Sequence, residues 1–257
     1  MSIQAGDVEP RLVELGCIYV PDNPGTLPYH FIGVSGAHLG GYVNIDPAFP
    51  HVRFLKSLAG LLVEPHIVRP DKPEQRRIGA VATPAIGSIP LSVVCAEVIM
   101  EAEGRDENDE VVAVWADKIE HEGQPVDFAF TRPGFVEALL GVIAREEDIL
   151  VVEDYINKKH SALRVVDAVR KVAGPNAVAG VATIAANRGV TAQGLAVPHY
   201  KQLCEVTYPT WTPDECRLTG PCANNIPIVV DKALGHGAEF RDKNPTYQGG
   251  FVELRAA

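Results

Sequence analysis

The residue types best suited to chemistry lie together in residues 148–161. Glu153 and Asp154 follow Ile149–Val152, a continuously apolar and largely β-branched run that predicts a strand buried on both faces. Adjacent carboxylates at the end of such a strand are costly unless a ligand or a partner uses them. Because each carboxylate can accept hydrogen bonds from a diol, we interpret the pair as a candidate site for sugar hydroxyls.

The turn that follows the two acids leads into a predicted helix, which begins near Ser161 and ends at Gly174-Pro175. A helix N-terminus offers free backbone amides and a favourable dipole to a phosphate. Ser161 can cap this helix or donate its hydroxyl to the anion. Composition alone also allows a simpler interpretation, in which the acids merely end a strand and Ser161 is only an N-cap.

The elements that must position this segment alternate between short apolar runs and helical periodicity. This pattern indicates an α/β fold with a mainly parallel sheet and covering helices. A helix is predicted from Ile89 onward, with Pro90 in its first turn. The predicted strands are Ile78–Ala82, Val111–Ala116, Asp127–Phe130, Ile149–Val152 and Val178–Ala185. Open α/β sheets bind ligands at the carboxyl ends of their strands, which is where the two acids are expected.

Composition and charge narrow the class of protein. A chain of 257 residues can form one large α/β domain with appended elements. A formal net charge of −10 argues against nucleic-acid binding, which requires a basic surface. The sequence has no apolar run of roughly 18 residues that would cross a membrane, and its first residues do not resemble a signal peptide. We therefore expect a cytoplasmic protein.

Composition also changes along the chain. Residues 1–70 are rich in Pro, Gly and His and are predicted to form an N-terminal cap. Residues 71–200 contain the alternating strands and helices of the core domain. Residues 201–257 are predicted to be an irregular tail that packs on this core.

The segment 149–161 resembles the phosphoribosyl-diphosphate motif of type I phosphoribosyltransferases, in particular the orotate phosphoribosyltransferase-like members. The apolar strand, both acids and the final serine match the motif. Asn157, Lys158, Lys159 and His160 replace its Thr-Thr-Gly-Gly part. Glycines there let backbone amides approach the phosphate closely. The replacing side chains either pair with phosphate directly or mark a loop that no longer binds it, and both alternatives stay open.

Other segments resemble the same family. Thr83–Leu91 is similar to the loop that binds diphosphate, so the resemblance implies that Ala85, Ile86, Gly87 and Ser88 offer amides to this group. Ser35–Tyr42 is similar to an N-terminal Ser-Gly segment of orotate-type members, which implies a base pocket formed with Ser35, Gly36 and Arg188. The mobile, Lys- and His-bearing catalytic loop of orotate enzymes has no counterpart between Arg132 and Asp148.

The resemblance implies an enzyme that transfers ribose 5-phosphate between phosphoribosyl diphosphate and a nucleobase, as in pyrimidine nucleotide metabolism. Glu153 and Asp154 would be its catalytic pair, residues 157–161 would bind the 5-phosphate, and Mg²⁺ would arrive with the substrate. A homodimer is also implied. Two alternatives remain: a non-catalytic nucleotide sensor or assembly protein of the same fold, and a flavodoxin-like binding protein in which Tyr155 and Trp115 stack on a ring.

The cysteines suggest a second, weaker hypothesis. Cys216 to Cys222 resembles a Cys-Pro-Leu-Cys segment of some orotate-like members, and with Cys204 and His236 it could supply four metal ligands. The five residues between Cys216 and Cys222 depart from the tight spacing of zinc ligands. We therefore expect unpaired thiols in a reducing compartment, without zinc.

Overall fold

The computed structural model describes residues 3–21, 27–33, 35–68, 76–121, 124–157 and 160–254. The chain divides into two compact units. The first consists of Met1–Glu9 and Ala48–Glu205, and the second of Pro10–Pro47 and Val206–Ala257. The segment boundaries 1–70, 71–200 and 201–257 stay a prediction.

The secondary-structure elements are numbered in chain order. The strands are β1 Ile18–Tyr19, β2 Phe31–Ile32, β3 His38–Leu39, β4 Tyr42–Val43, β5 Ile78–Pro84, β6 Val112–His121, β7 Gln124–Ala129, β8 Asp148–Ile156, β9 Val178–Asn187, β10 His199–Val206, β11 Thr210–Trp211, β12 Ile228–Val229 and β13 Phe251–Val252. The helices are α1 Val8–Glu14, α2 Val52–Val63, α3 Ile89–Glu103, α4 Pro133–Ala144, α5 His160–Ala173, α6 Pro213–Leu218 and α7 Gly237–Lys243.

The first unit contains a six-stranded sheet in the order β10-β9-β8-β5-β6-β7. The pairs β5–β6, β5–β8 and β8–β9 are parallel, whereas β7 pairs with β6 in the antiparallel sense. The mainly parallel α/β sheet predicted from the sequence is therefore confirmed. Such sheets are buried on both faces, and every residue of β5 is buried.

Helices cover both faces of the central strands. On one face α4 packs beside α5, and on the other α2 packs beside α3. Ile149 and Val151 of β8 belong to the core that includes Leu139 of α4 and Val165 of α5. Since successive side chains of a strand alternate between the two faces, Leu150 and Val152 face the side covered by α3. Central strand β8 therefore has a distinct apolar layer on each face.

The predicted elements of the core are confirmed, with different ends. β8 extends to Ile156 rather than ending at Val152, so Glu153 and Asp154 are strand residues. Between Arg132 and Asp148 the chain forms α4, where the sequence shows no counterpart of a mobile catalytic loop. Each helix in the described ranges is too short or too polar to cross a bilayer.

The second unit is built from much shorter elements. β1 pairs with β4, a three-stranded sheet has the order β11-β3-β2, and β12 pairs with β13. Each of these strands has two residues. Helix α6 begins with a capping box, in which Thr212 accepts a hydrogen bond from the backbone N–H of Glu215 and Glu215 accepts one in return. Residues from both ends of the chain therefore combine into one small unit.

Candidate functional site

The candidate site lies where the chain connections of the sheet diverge. From β5 the chain passes through α3 to β6, whereas from β8 it passes through α5 to β9, on the other side. In open α/β sheets a crevice forms at such a switch point, outside the carboxyl ends of the strands, and ligands bind there. β8 pairs with β5 only as far as Val151, and its next residues pair with β9 alone. Glu153 and Asp154 therefore lie at the rim of the crevice.

The two acids contact different helices. Glu153 lies on the β8 face of Ile149 and Val151, and it accepts a hydrogen bond of 2.5 Å from the Ser161 hydroxyl in the first turn of α5. Asp154 is directed to the other face because side chains alternate along a strand. Its Oδ1 accepts a hydrogen bond of 2.9 Å from the Ser88 hydroxyl at the start of α3. The pair therefore does not present two carboxylates side by side.

Glu153 is buried in an unusual way for an acid. Only 5% of its surface is exposed, and Oε2 has no hydrogen-bond partner among the described residues. Burial raises the pKa of Glu153 to about 8, the Ser161 hydroxyl opposes this rise, and the neighbouring charge of Asp154 adds to it. The Glu153 carboxyl therefore retains its proton near neutral pH. Groups whose pKa is shifted in this way are frequent at functional sites.

Asp154 is half-buried and is held by backbone and side-chain contacts. Its backbone N–H donates to Ser88 Oγ at 3.0 Å, and its Oδ1 also accepts from the backbone N–H of Tyr155 at 2.9 Å. Ser88 itself is 1% exposed. These contacts connect the acid of β8 to the beginning of α3. Of the two acids, Asp154 is the one whose carboxylate reaches the crevice.

The loop Ala85–Ser88 connects β5 to α3, as predicted. The peptide bond between Ala85 and Ile86 is cis, and the Ile86 side chain is 80% exposed. A Cβ added to Gly87 would lie 3.5 Å from Asp154 Oδ2, so the loop passes directly beside this acid. At the start of α3, the backbone N–H of Ile89 donates to the carbonyl of Ile86 at 3.1 Å, and Pro90 has no N–H, so amides for an anion must come from the loop itself. The predicted diphosphate loop and the acidic pair thus occupy one site.

The turn before α5 is only partly described. Asn157 Oδ1 accepts a hydrogen bond of 3.1 Å from the Asn187 side chain, and His160 is exposed at the first position of α5. Lys158 and Lys159 lie outside the described residues. Ser161 donates its hydroxyl to Glu153, so its backbone amide is the group that remains for a phosphate.

The residues predicted for the base pocket lie in different units. Arg188 follows β9 in the first unit, and its exposed side chain is 4.0 Å from the Glu205 carboxylate. Ser35 is exposed and Gly36 has a φ of 76°, in the turn between β2 and β3 of the second unit. Their part in a base pocket stays a prediction.

The four residues that the sequence suggested as metal ligands do not form one cluster. Cys204 Sγ donates to the carbonyl of Ile184 at 3.3 Å, and His236 contacts Glu239. Cys216 and Cys222 instead lie beside two histidines that the sequence reasoning did not select, His30 and His38. The sequence did not reveal this cluster because the histidines and the cysteines are far apart along the chain.

Mg²⁺ is the ion that the fold implies, and the oxygen atoms of the crevice fit it. Mg²⁺ prefers oxygen ligands, keeps several waters, and commonly binds through one or two carboxylates together with a phosphate. Asp154 offers a half-buried carboxylate at the crevice and could hold the hydrated ion, which would supply positive charge next to a phosphate group. Glu153 is buried on the other face of β8 and is not placed to share that ion.

Sequence reasoning missed Ser88 as the partner of Asp154 and Thr83 as a candidate site residue. Thr83 is fully buried near the end of β5, and its hydroxyl has no partner among the described residues. Thr83 lies just before the loop Ala85–Ser88, and Ser88 is the last residue of this loop. Their position at and after the end of a buried apolar strand is the sequence signal that could have found them.

Comparison with solved structures identifies the fold. A phosphoribosyltransferase from Corynebacterium diphtheriae superposes with a TM-score of 0.50 at 21% identity, over 78% of this chain and 95% of that one. Mycobacterium tuberculosis orotate phosphoribosyltransferase in complex with inorganic phosphate gives a TM-score of 0.47 at 22% identity, over 77% and 94% of the two chains. No protein-family model matches the sequence, and no curated protein matches it significantly. The chain has the type I phosphoribosyltransferase fold, as the resemblance of its motifs predicts.

Proposed function

We propose that this chain is a phosphoribosyltransferase, which transfers ribose 5-phosphate between phosphoribosyl diphosphate and a nucleobase. One observation carries the proposal: a paired acid, a loop before α3 and the first turn of α5 meet at the switch point between β5 and β8. The fold supports this function without deciding it. The base is the one that a purine and pyrimidine panel identifies, and substrate-bound Mg²⁺, a homodimer and a cytoplasmic location complete the proposal.

The two acids have different roles in this proposal. The half-buried Asp154 accepts hydrogen bonds from the ribose hydroxyls, and Ser88 holds its carboxylate in place. The buried Glu153 is a positioning residue that orients Ser161 at the start of α5. The amides of Ile86, Gly87 and Ser88 bind the diphosphate, whereas the amide of Ala85 already donates to the carbonyl of Ala116 at 2.9 Å. Because bond cleavage produces an oxocarbenium-like centre, the main task of the protein is to position the reactants and stabilise the leaving diphosphate.

Calorimetric titration with phosphoribosyl diphosphate, with and without Mg²⁺, tests the proposal directly. We expect binding that requires Mg²⁺, and diphosphate release with one base from a purine and pyrimidine panel. Asp154→Asn removes a charged acceptor, so it should weaken binding by about tenfold to a hundredfold. Asp167→Asn is a matched control because Asp167 is an exposed acid of α5. Equal affinity in both variants and the unchanged protein would refute the role of Asp154.

A second candidate function is a nucleotide sensor with the same fold. The protonation and the hydrogen bonds of the two acids favour this function. The raised pKa of Glu153 keeps this residue protonated near neutral pH, and both acids already accept hydrogen bonds from serine hydroxyls. A sensor would bind a nucleotide with no turnover across the base panel, and its oligomeric state would change on binding. Light scattering with and without nucleotide, together with the diphosphate-release assay, separates the two functions.

A further inference from the structure

The second unit contains a compact cluster of two imidazoles and two thiols. His30 precedes β2, His38 is in β3, Cys216 is in α6, and Cys222 is in the short 3₁₀ turn Pro221–Asn224. One ligand atom from each of the four lies within 4.8 Å of every other. His30, His38 and Cys216 are buried and Cys222 is half-buried. We propose that these four residues bind a structural zinc ion.

Four of the six distances between these atoms lie within about 0.4 Å of the edges of a zinc tetrahedron. With Zn–N of about 2.1 Å and Zn–S of about 2.3 Å, tetrahedral geometry requires edges of about 3.4 Å for N–N, 3.6 Å for N–S and 3.8 Å for S–S. His30 Nε2 is 3.0 Å from His38 Nδ1. Cys222 Sγ is 3.6 Å from His30 Nε2 and 3.5 Å from His38 Nδ1, and Cys216 Sγ is 4.0 Å from His30 Nε2. An ion therefore fits between the four atoms with small adjustments.

The chemistry of the ligand set selects zinc and a closed site. Two thiolates and two neutral imidazoles form the Cys₂His₂ set of structural zinc sites, and they neutralise the charge of the ion. The backbone N–H of Cys222 donates to Cys216 Sγ at 3.2 Å, an outer contact of the kind that orients a ligating sulfur. Both cysteines are free thiols rather than a disulfide. Because the protein fills all four positions, the ion would stabilise the fold and would not bind substrate.

The architecture of the second unit suits a structural ion. Its strands have two residues each, and α6 and α7 have six and seven. A bound metal adds its binding free energy to the stability of such a unit. His30 and His38 come from Pro10–Pro47, whereas Cys216 and Cys222 come from Val206–Ala257. Zinc would therefore cross-link the two segments that form the unit.

The first test is metal analysis of the full chain, purified under reducing conditions without added metal. We expect one equivalent of zinc by plasma mass spectrometry. After the metal has been removed with a chelator, titration with Co²⁺ should produce the visible absorption of a tetrahedral sulfur- and nitrogen-ligated ion. Protein that contains no zinc, and that binds neither Zn²⁺ nor Co²⁺ after chelation, overturns the proposal.

Variants identify the ligands. Cys222→Ser and His38→Ala should reduce bound zinc from one equivalent to nearly none, whereas Cys204→Ser and His236→Gln are matched controls that should retain it. If a ligand variant does not fold, the Co²⁺ spectrum of the unchanged protein still decides the site, because its sulfur-to-metal band reports thiolate ligation. Full zinc content in both ligand variants overturns the assignment. A Cys216–Cys222 disulfide that persists in the protein purified under reducing conditions, found by mass spectrometry, also overturns it.

Discussion

Glu153→Gln should stabilise the protein increasingly as the pH rises. The carboxyl of Glu153 has its pKa raised from 4.5 to about 8, mainly because it is buried. Between these values the folded state holds a proton that the unfolded chain releases, so the contribution of Glu153 to stability falls with increasing pH. A shift of this size corresponds to about 5 kcal/mol above pH 8 and about 3 kcal/mol at pH 7. Glutamine has the same shape, no charge, and an oxygen that can still accept the Ser161 hydroxyl.

Urea unfolding at a series of pH values measures this effect. The free energy of unfolding of Glu153→Gln minus that of the unchanged protein should be nearly constant at acidic pH. It should then grow by several kcal/mol as the pH rises toward about 8. Glu137→Gln is the control because Glu137 is exposed in α4, and its difference should stay flat. A flat difference for Glu153→Gln as well would show that this carboxyl ionises normally, which would refute the reasoning.

Three further predictions concern other parts of the first unit. Gly79→Ala should lower the free energy of unfolding by about 2 kcal/mol in urea, because its Cβ would clash with the buried Glu147 carboxylate and lie 2.9 Å from a valine methyl of α4. Gly60→Ala in α2 meets nothing within 4 Å and should be neutral or stabilising. Burial, and then the nearby His199 charge, lowers the pKa of His66 to about 4. The contribution of His66 to the free energy of unfolding is therefore present above about pH 6.5 and is lost toward pH 4, a fall of about 3 kcal/mol. Urea unfolding over this pH range should show the fall in the unchanged protein and not in His66→Gln. Ser88→Ala removes the hydroxyl that holds Asp154, so titration calorimetry should find weaker binding of phosphoribosyl diphosphate, with a stability loss of about 1 kcal/mol.

The central strands and helices could be predicted because their sequence patterns are strong. Ile149–Val152 is continuously apolar, and a strand of this composition is stable only in the middle of a covered sheet. The apolar stripe of α5 and the Gly174-Pro175 stop are similarly clear. The order of these elements was enough to predict the position of the site at the carboxyl ends of the strands.

The orientation of the two acids could not be predicted with the same ease. The sequence interpretation ended the strand at Val152, and in an irregular turn both side chains could face one ligand. The continued pairing of β8 with β9 imposes strand geometry on Glu153 and Asp154 and directs them to opposite faces. This pairing is a tertiary property, because it depends on a segment some thirty residues away. The sequence of residues 148–161 alone therefore could not predict the opposite orientation of the two acids.

The histidines of the cluster were missed for a different reason. His30 and His38 are separated by seven residues and lie just before β2 and in β3, elements of two residues that are too short to give a periodic signal. Their neighbours Cys216 and Cys222 come from the other end of the chain. Local spacing rules apply to ligands supplied by one turn or hairpin, and such rules cannot detect ligands that long-range folding brings together.

The composition of the second unit from both ends of the chain has a consequence for the order of events during synthesis. Residues 48–205 are continuous, so most of the first unit can fold as soon as it has left the ribosome. Residues 10–47 are made earlier, yet β3 has no access to its partner β11 until residues 210 and 211 have been translated. Residues 10–47 thus wait for the segment that contains β11, and chaperones would encounter their apolar side chains during that interval.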